Sequence, residues 1–153
     1  MRAIILTSLL IIPFIGASVA EDKKPSKELR KMTGTWRITQ HSAGGEALSE
    51  EQIKELGAKL VIKGTKYTYY AGKEVVGEGT IKIDATKSPK TIDVNIEKGM
   101  GKGETLKGLY KFDGKKWLVI FTNPGGKRPD SFETKKGDDR MSFTYVKVKK
   151  KKK

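Results

Sequence analysis

His41, the only histidine in the chain, is the first residue to consider for catalysis, because an imidazole can serve as a general base near neutral pH. Such a base needs a carboxylate that orients the ring and a nucleophile beside it. The residues around His41 do not offer that arrangement, and one histidine in a chain without cysteine cannot form the usual zinc site. We therefore expect a surface histidine, no catalytic residues, no metal site and no enzymatic activity.

Four Gly-Lys pairs invite comparison with a phosphate-binding loop: Gly72-Lys73, Gly101-Lys102, Gly114-Lys115 and Gly126-Lys127. None is followed by Ser or Thr, and none has a glycine at the required upstream spacing, so the P-loop pattern is absent. The carboxylates are scattered along the chain, and we expect them to form solvated ion pairs with the many lysines. The sequence thus predicts basic turns and no cofactor.

Aromatic side chains are the best candidates for binding. Seven of them are predicted to point inward together: Tyr67, Tyr69, Tyr110, Trp117, Phe121, Phe143 and Tyr145. The interior of an eight-stranded barrel is just wide enough to be filled by side chains or to hold one small ligand. We predict that Tyr110, Trp117 and Phe121 line a site for a small apolar ligand.

Three glycines bear on the choice between a filled and a hollow interior. Gly77, Gly79 and Gly108 fall at positions that are predicted to face inward, where missing side chains would leave room for a ligand. The alternative is a fully packed core, because Phe and Trp side chains usually fill core volume.

The elements that must hold these side chains are short β-strands. Apolar and polar residues alternate over 36–39, 92–97, 106–112 and 141–145, broken only by Leu109. This pattern is typical of antiparallel strands with one buried face. Asp113-Gly114 predicts a tight hairpin, and the other connections are too short for crossover helices. Ser49 and Gln52 form a capping-box signal that predicts one short helix after the first strand, and a helical turn is expected over 27–32. We predict an all-β fold, an antiparallel eight-stranded barrel.

Residues 1–20 have the pattern of a secretory signal peptide. Arg2 gives a basic start, an apolar run follows over 4–15, and Ser18 and Ala20 are the small residues expected before a cleavage site. An uncleaved membrane anchor is the alternative. We expect a periplasmic or extracellular protein that binds no nucleic acid and has no transmembrane span after cleavage.

Positive charge is concentrated at the carboxyl end of a chain whose formal net charge is +14. The tail consists of Lys149, Lys150, Lys151, Lys152 and Lys153. A solvated polybasic end attracts anionic surfaces, so the tail is a candidate for contact with an anionic envelope polymer or lipid.

Several segments carry a resemblance to a known family. They are Glu28-Leu29, Gly34-Thr35-Trp36, LVIKG at 60–64, EVVGEGT at 74–80, PKTID at 89–93, GKGETLKGLY at 101–110, and Arg128-Pro129 with Phe132. The chain resembles a family of small exported lipocalin-like domains that occur in many copies in planctomycete bacteria. The resemblance implies a calycin-type barrel and export but no activity, because none is assigned to that family. It also implies that a basic side chain of the last strand covers Trp36; Lys147 or Lys149 is available here, where Arg is usual.

The predicted organisation is a signal peptide over 1–20, a disordered leader over 21–28, a barrel domain over 29–148 and the polybasic tail over 149–153. The leading functional hypothesis is a non-enzymatic module that binds a small apolar ligand inside the barrel. The alternative is an envelope protein that contacts anionic polymer or lipid through its basic surface and lysine tail.

Overall fold

The computed structural model describes residues 26–149. Within that range the chain forms two short helices and nine strands, which follow the sequence in the order α1 Lys27–Met32, β1 Gly34–Ala43, β2 Glu46–Ala47, α2 Glu50–Leu56, β3 Ala58–Lys63, β4 Lys66–Ala71, β5 Glu74–Asp84, β6 Lys90–Gly99, β7 Thr105–Asp113, β8 Lys116–Thr122 and β9 Arg140–Lys147.

Eight of these strands form a closed antiparallel barrel. From β3 onward each strand pairs with the next one along the chain, and β1 pairs with both β3 and β9, which closes the sheet. The two-residue β2 pairs only with Ser42 and Ala43, at the carboxyl end of β1. The predicted antiparallel eight-stranded barrel is confirmed, and closure leaves none of the eight strands as a long unpaired edge.

The barrel has two different ends, which we call the base and the mouth. The base carries the turns after β3, β5 and β7, whereas the mouth carries the turns after β4 and β6 and the long connection over 123–139. Helix α1 lies against the base, where Leu29 and Met32 are buried in the core. The Trp36 indole Nε1 donates a hydrogen bond of 2.7 Å to the Met32 carbonyl, so the end of α1 is fixed to the first strand.

Lys147 covers Trp36 at the base. Its Nζ lies 5.1 Å from the centroid of the Trp36 ring and donates a hydrogen bond of 3.0 Å to the Lys31 carbonyl. The Lys147 stem crosses Gly34, where an added Cβ would lie 2.7 Å from the Lys147 Cε. Of the two lysines that the resemblance offered for this place, Lys147 is the one that covers Trp36.

Helix α2 lies beside the mouth, next to the part of β1 that has no β3 partner. Ser49 accepts a hydrogen bond from the Gln52 backbone, Gln52 accepts one from the Ser49 backbone, and Gly57 ends the helix in the left-handed conformation. The helix is anchored by Ile53, which packs against the core.

The predicted leader over 21–28 overlaps α1, because Lys27 and Glu28 belong to this helix. Lys27 and Glu28 therefore belong to the folded domain and not to a disordered leader. Residues 21–25, the predicted signal peptide over 1–20 and the tail residues Lys150, Lys151, Lys152 and Lys153 lie outside the described residues.

The connection over 123–139 runs along the outer wall of the barrel. Arg128 donates hydrogen bonds to the carbonyls of Ile92 and Gly108 and forms an ion pair with Asp93 at 2.7 Å. Leu109, which interrupts the alternation of β7, faces outward beside this segment and is nevertheless buried. The connection over 123–139 covers this outward position of β7, which explains why the position carries leucine.

Candidate functional site

The barrel encloses a cavity of about 370 Å³. Its walls are mainly aliphatic and come from the seven strands β3 to β9, with Leu60, Ile81, Ile92, Val94, Leu106 and Val119 among the lining residues. These side chains face inward because alternate residues of a strand point to the same face of the sheet. The interior is therefore neither fully packed nor polar.

Aromatic rings form the floor of the cavity. The Trp117 ring lies 5.3 Å from that of Trp36 and 5.2 Å from that of Tyr145, between ring centroids, and Phe112 stacks on Trp117 from the base side. This stack fills the part of the barrel next to the base, so the free volume lies between the stack and the mouth. Six of the seven predicted inward aromatics line the cavity; the exception is Tyr110.

The three predicted ligand-lining residues separate into two places. Trp117 and Phe121 line the cavity. Tyr110 is fully buried but does not line the cavity, and its hydroxyl donates a hydrogen bond of 3.4 Å to the Glu28 carboxylate of α1. Burial and the nearby Glu28 raise the pKa of Tyr110 well above its usual value. Tyr110 therefore joins the helix to the barrel wall instead of facing the free volume.

Glu28 links α1 to the base through two further contacts. Its carboxylate oxygens lie 3.2 Å from the Nζ atoms of Lys31 and Lys90. Burial acts to raise the pKa of Glu28, but the hydrogen bonds and positive charges of the two lysines outweigh it, so the pKa is lowered below 4.5.

Three tyrosine hydroxyls bring polar atoms to a mainly apolar lining, in addition to the Trp117 indole Nε1, which is buried without a hydrogen-bond partner among residues 26–149. They belong to Tyr67, Tyr69 and Tyr145. Burial raises the pKa of all three; Glu97 adds to the effect at Tyr67, and Tyr69 adds to it at Tyr145. No hydrogen bond to another residue in 26–149 contributes to these shifts. All three residues were among the predicted inward aromatics, but nothing in the alternation distinguished them as polar groups of a site.

The inward glycines differ in what surrounds them. Gly77 lines the cavity, and an added Cβ would make only ordinary contacts of 3.7 and 3.8 Å with the Lys98 carbonyl and Tyr69. At Gly79 and Gly108 an added Cβ would collide with carbonyl oxygens of the neighbouring strands. Only Gly77 leaves room for a ligand; the other two permit close approach of backbones.

The mouth combines apolar and charged side chains. Val76 and Met100 lie at its edge, and Met100 is 95 % exposed. Lys98 also lines the mouth, where its Nζ lies 3.3 Å from the Glu78 carboxylate in an exposed ion pair. The cavity thus reaches solvent through an opening that is largely apolar.

His41 lies near the mouth and is half-buried. Its ring stacks on Phe143 with 4.4 Å between centroids, and its Nδ1 donates a hydrogen bond of 3.0 Å to the Ser142 carbonyl. The neighbouring Ser42 hydroxyl is bonded to the hydroxyls of Ser142 and Thr134 and not to His41. Within residues 26–149, no group of three or more His, Asp or Glu is placed to hold a metal ion.

Comparison with protein-family models, with curated proteins and with solved structures gives no match for this chain. Neither helix in the described part of the chain is both long and apolar enough to cross a membrane. The candidate site therefore has to be interpreted from its own geometry. That geometry is an apolar cavity with an aromatic floor, three tyrosine hydroxyls and an open mouth.

Proposed function

We propose that this chain is an exported, lipocalin-like binding module that holds one small, largely apolar ligand inside its barrel and catalyses no reaction. The observation that carries the proposal is the cavity of about 370 Å³ above the aromatic floor. A cavity of about 150 Å³ is large enough to bind benzene. The larger volume suits a molecule of about two rings, or a branched chain of similar bulk.

The lining supports an apolar ligand. Apart from Lys98 at the mouth, every side chain in the described part of the chain that lines the cavity is uncharged. Burying apolar ligand surface contributes about 25 cal/mol for each Å² removed from water. Little of that gain is lost to ordering, because the walls belong to a closed sheet that is formed before the ligand enters.

Two features support the lipocalin-like part of the proposal. The chain forms an up-and-down barrel of eight strands, and Gly34-Thr35-Trp36 starts its first strand. Lys147 of the last strand lies on Trp36, as the resemblance implies for a basic residue. Export is proposed from the pattern of residues 1–20 alone.

The test is calorimetric titration of the protein with naphthalene, an uncharged molecule of two rings. We expect micromolar binding and an increase in the temperature of unfolding when naphthalene is present, because a ligand that binds only the folded state stabilises it. Gly77→Leu should fill part of the cavity and weaken binding about tenfold or more. Val75→Leu adds bulk to the same strand at an exposed residue outside the cavity lining and should leave binding unchanged.

Absence of binding to the wild-type protein would contradict the proposal. Equal binding by the wild type and a folded Gly77→Leu variant would also contradict it, because the naphthalene would then occupy a site outside the barrel.

A further inference from the structure

The tyrosines of the cavity need a partner that the described protein does not provide. Tyr145 is only 5 % exposed, lines the cavity, and has no hydrogen bond that would account for its hydroxyl. The hydroxyl adjoins the free volume of the cavity, where only solvent or a bound molecule can satisfy it, whereas phenylalanine of nearly the same shape would need no such partner. The neighbouring inward positions Phe112, Phe121 and Phe143 already use phenylalanine. Tyrosine at 145 is therefore explained best by a partner inside the cavity.

Tyr69 faces the same space. Tyr69 pairs with Leu60 on β3, and Tyr145 pairs with Ile38 on β1. Since β1 and β3 are adjacent, only these two strands separate the two tyrosines around the wall. Both line the one cavity, so two hydroxyls are available to a polar group on one side of a bound molecule.

The charge of the lining limits that polar group. Among residues 26–149, Lys98 is the only charged residue that lines the cavity, and it lies at the mouth in an exposed ion pair with Glu78. A carboxylate beside Tyr145 would lose its hydration without meeting a cation, which is unfavourable in an apolar interior. A hydroxyl or a carbonyl can instead be satisfied by phenolic hydroxyls alone, because each of these can donate and accept.

We propose that the cavity takes a neutral molecule of about two rings that carries one hydroxyl or carbonyl group, and that the hydroxyls of Tyr145 and Tyr69 bind this group. The inference rests on the proposed function and adds the chemical class of the ligand. It excludes anionic ligands, such as carboxylates of the same size, from the interior.

Three probes that share one ring system test this inference: naphthalene, 1-naphthol and 1-naphthoate, titrated calorimetrically at neutral pH. We expect 1-naphthol to bind roughly 3–10 times more tightly than naphthalene, as one additional hydrogen bond would give. We expect 1-naphthoate to bind at least tenfold more weakly than 1-naphthol. Tyr145→Phe should reduce the affinity for 1-naphthol to the level of naphthalene and leave naphthalene binding unchanged.

Tyr69→Phe is the second variant, and it should weaken 1-naphthol binding in the same direction. Tyr70→Phe is the matched control: Tyr70 lies on the same strand but outside the cavity lining, with the Lys59 Nζ 4.4 Å from its ring centroid. We expect it to bind all three probes like the wild type. Thermal unfolding of each variant verifies folding, and Tyr145→Phe should unfold at the same temperature as the wild type or higher, since its hydroxyl has no protein partner to lose.

The outcomes separate the two proposals. Equal affinity for 1-naphthol and naphthalene, in the wild type and in both cavity variants, would overturn the inference and leave the apolar binding module standing. Tighter binding of 1-naphthoate than of 1-naphthol would overturn the neutral class. Failure of all three probes to bind would overturn the proposed function and the inference with it.

Discussion

Among single residues, the inward glycines show how one residue type serves different purposes. Gly77 faces free volume, whereas the backbone of the next strand approaches Gly79 and Gly108 closely. The alternation of β5 and β7 predicts only that all three face inward. It does not indicate how near the neighbouring strand comes, because that distance depends on register shifts such as the one between Glu78 and Gly79.

Alanine at these glycines should therefore have opposite effects on stability. Gly79→Ala and Gly108→Ala should each lower the free energy of unfolding by about 2 kcal/mol, because the new methyl group overlaps a carbonyl oxygen. Gly77→Ala should leave it unchanged or raise it slightly, since alanine restricts the unfolded chain and meets no clash. Urea unfolding of the three variants measures the difference. A loss at Gly77 as large as that at Gly108 would contradict this account.

Tyr110 marks the limit of what periodicity predicts about a site residue. The pattern of β7 correctly indicates that its side chain is buried, but it contains no information on how far along the barrel axis the side chain ends. The hydroxyl of Tyr110 is directed toward Glu28 of α1, a residue 82 positions earlier in the chain. Trp117 and Phe121, by contrast, face the free volume. Contacts between segments so distant in sequence cannot be inferred from local spacing.

At the scale of elements, Glu28 adds a polar attachment of α1 to the base, beside the burial of Leu29 and Met32 in the core. Because the pKa of Glu28 is lowered in the folded protein, the folded state binds this proton less readily than the unfolded state. Its contribution to stability is therefore complete at neutral pH and is lost as the pH falls below about 4.5 through the folded-state pKa.

Glu28→Gln should lower the free energy of unfolding by about 1 kcal/mol at pH 7, because the side chain is largely buried and two lysines lose their partner. The difference from the wild type should shrink as the pH falls below about 4.5 and the carboxylate takes up its proton. Chemical unfolding across this range measures it, with the exposed residue Glu46 of β2 as the control position. A difference that grows in acid would show that the carboxylate does not stabilise the fold.

The strands were the most predictable elements, and the outer segment over 123–139 was the least. Short alternating runs joined by glycine turns leave few arrangements other than an antiparallel meander, and Asp113-Gly114 fixes one hairpin directly. Arg128, by contrast, is a basic residue in a loop, and nothing in its neighbours predicts that its guanidinium bonds the carbonyls of Ile92 and Gly108. The burial of Leu109 on the outer face follows from that contact.

For the whole molecule, the free volume of the interior distinguishes a hollow barrel from a filled one. This volume could not be predicted from the sequence. The six inward aromatics that line the cavity would be compatible with either outcome. The barrel is hollow because Trp36, Phe112 and Trp117 pack together toward the base and do not fill the part near the mouth. Free volume is a property of the complete arrangement of side chains and has no local signal.

The basic surface is a second property of the whole molecule, and its contact with anionic envelope components stays a prediction. Lys149 is exposed at the base end of β9. Removing 149–153 should weaken binding to vesicles that contain anionic lipid, since each basic residue near such a surface contributes about 1 kcal/mol. Raising the salt concentration from low to moderate should weaken wild-type binding as well. Co-sedimentation of full-length and shortened protein with anionic and neutral vesicles measures both effects, and identical binding by the two proteins would exclude the tail.

Both ends of the described chain leave the barrel on the same side. Helix α1 begins the described structure at the base, and β9 returns there before Val148, whose backbone N–H bonds to the Thr35 carbonyl. A tether attached before residue 26 or after residue 149 would therefore hold the barrel by its base and orient the mouth away from the support. Attachment to a support at residue 26 or residue 149 should therefore leave the entrance to the cavity free, so that a protein held there has the same access to ligand as in solution.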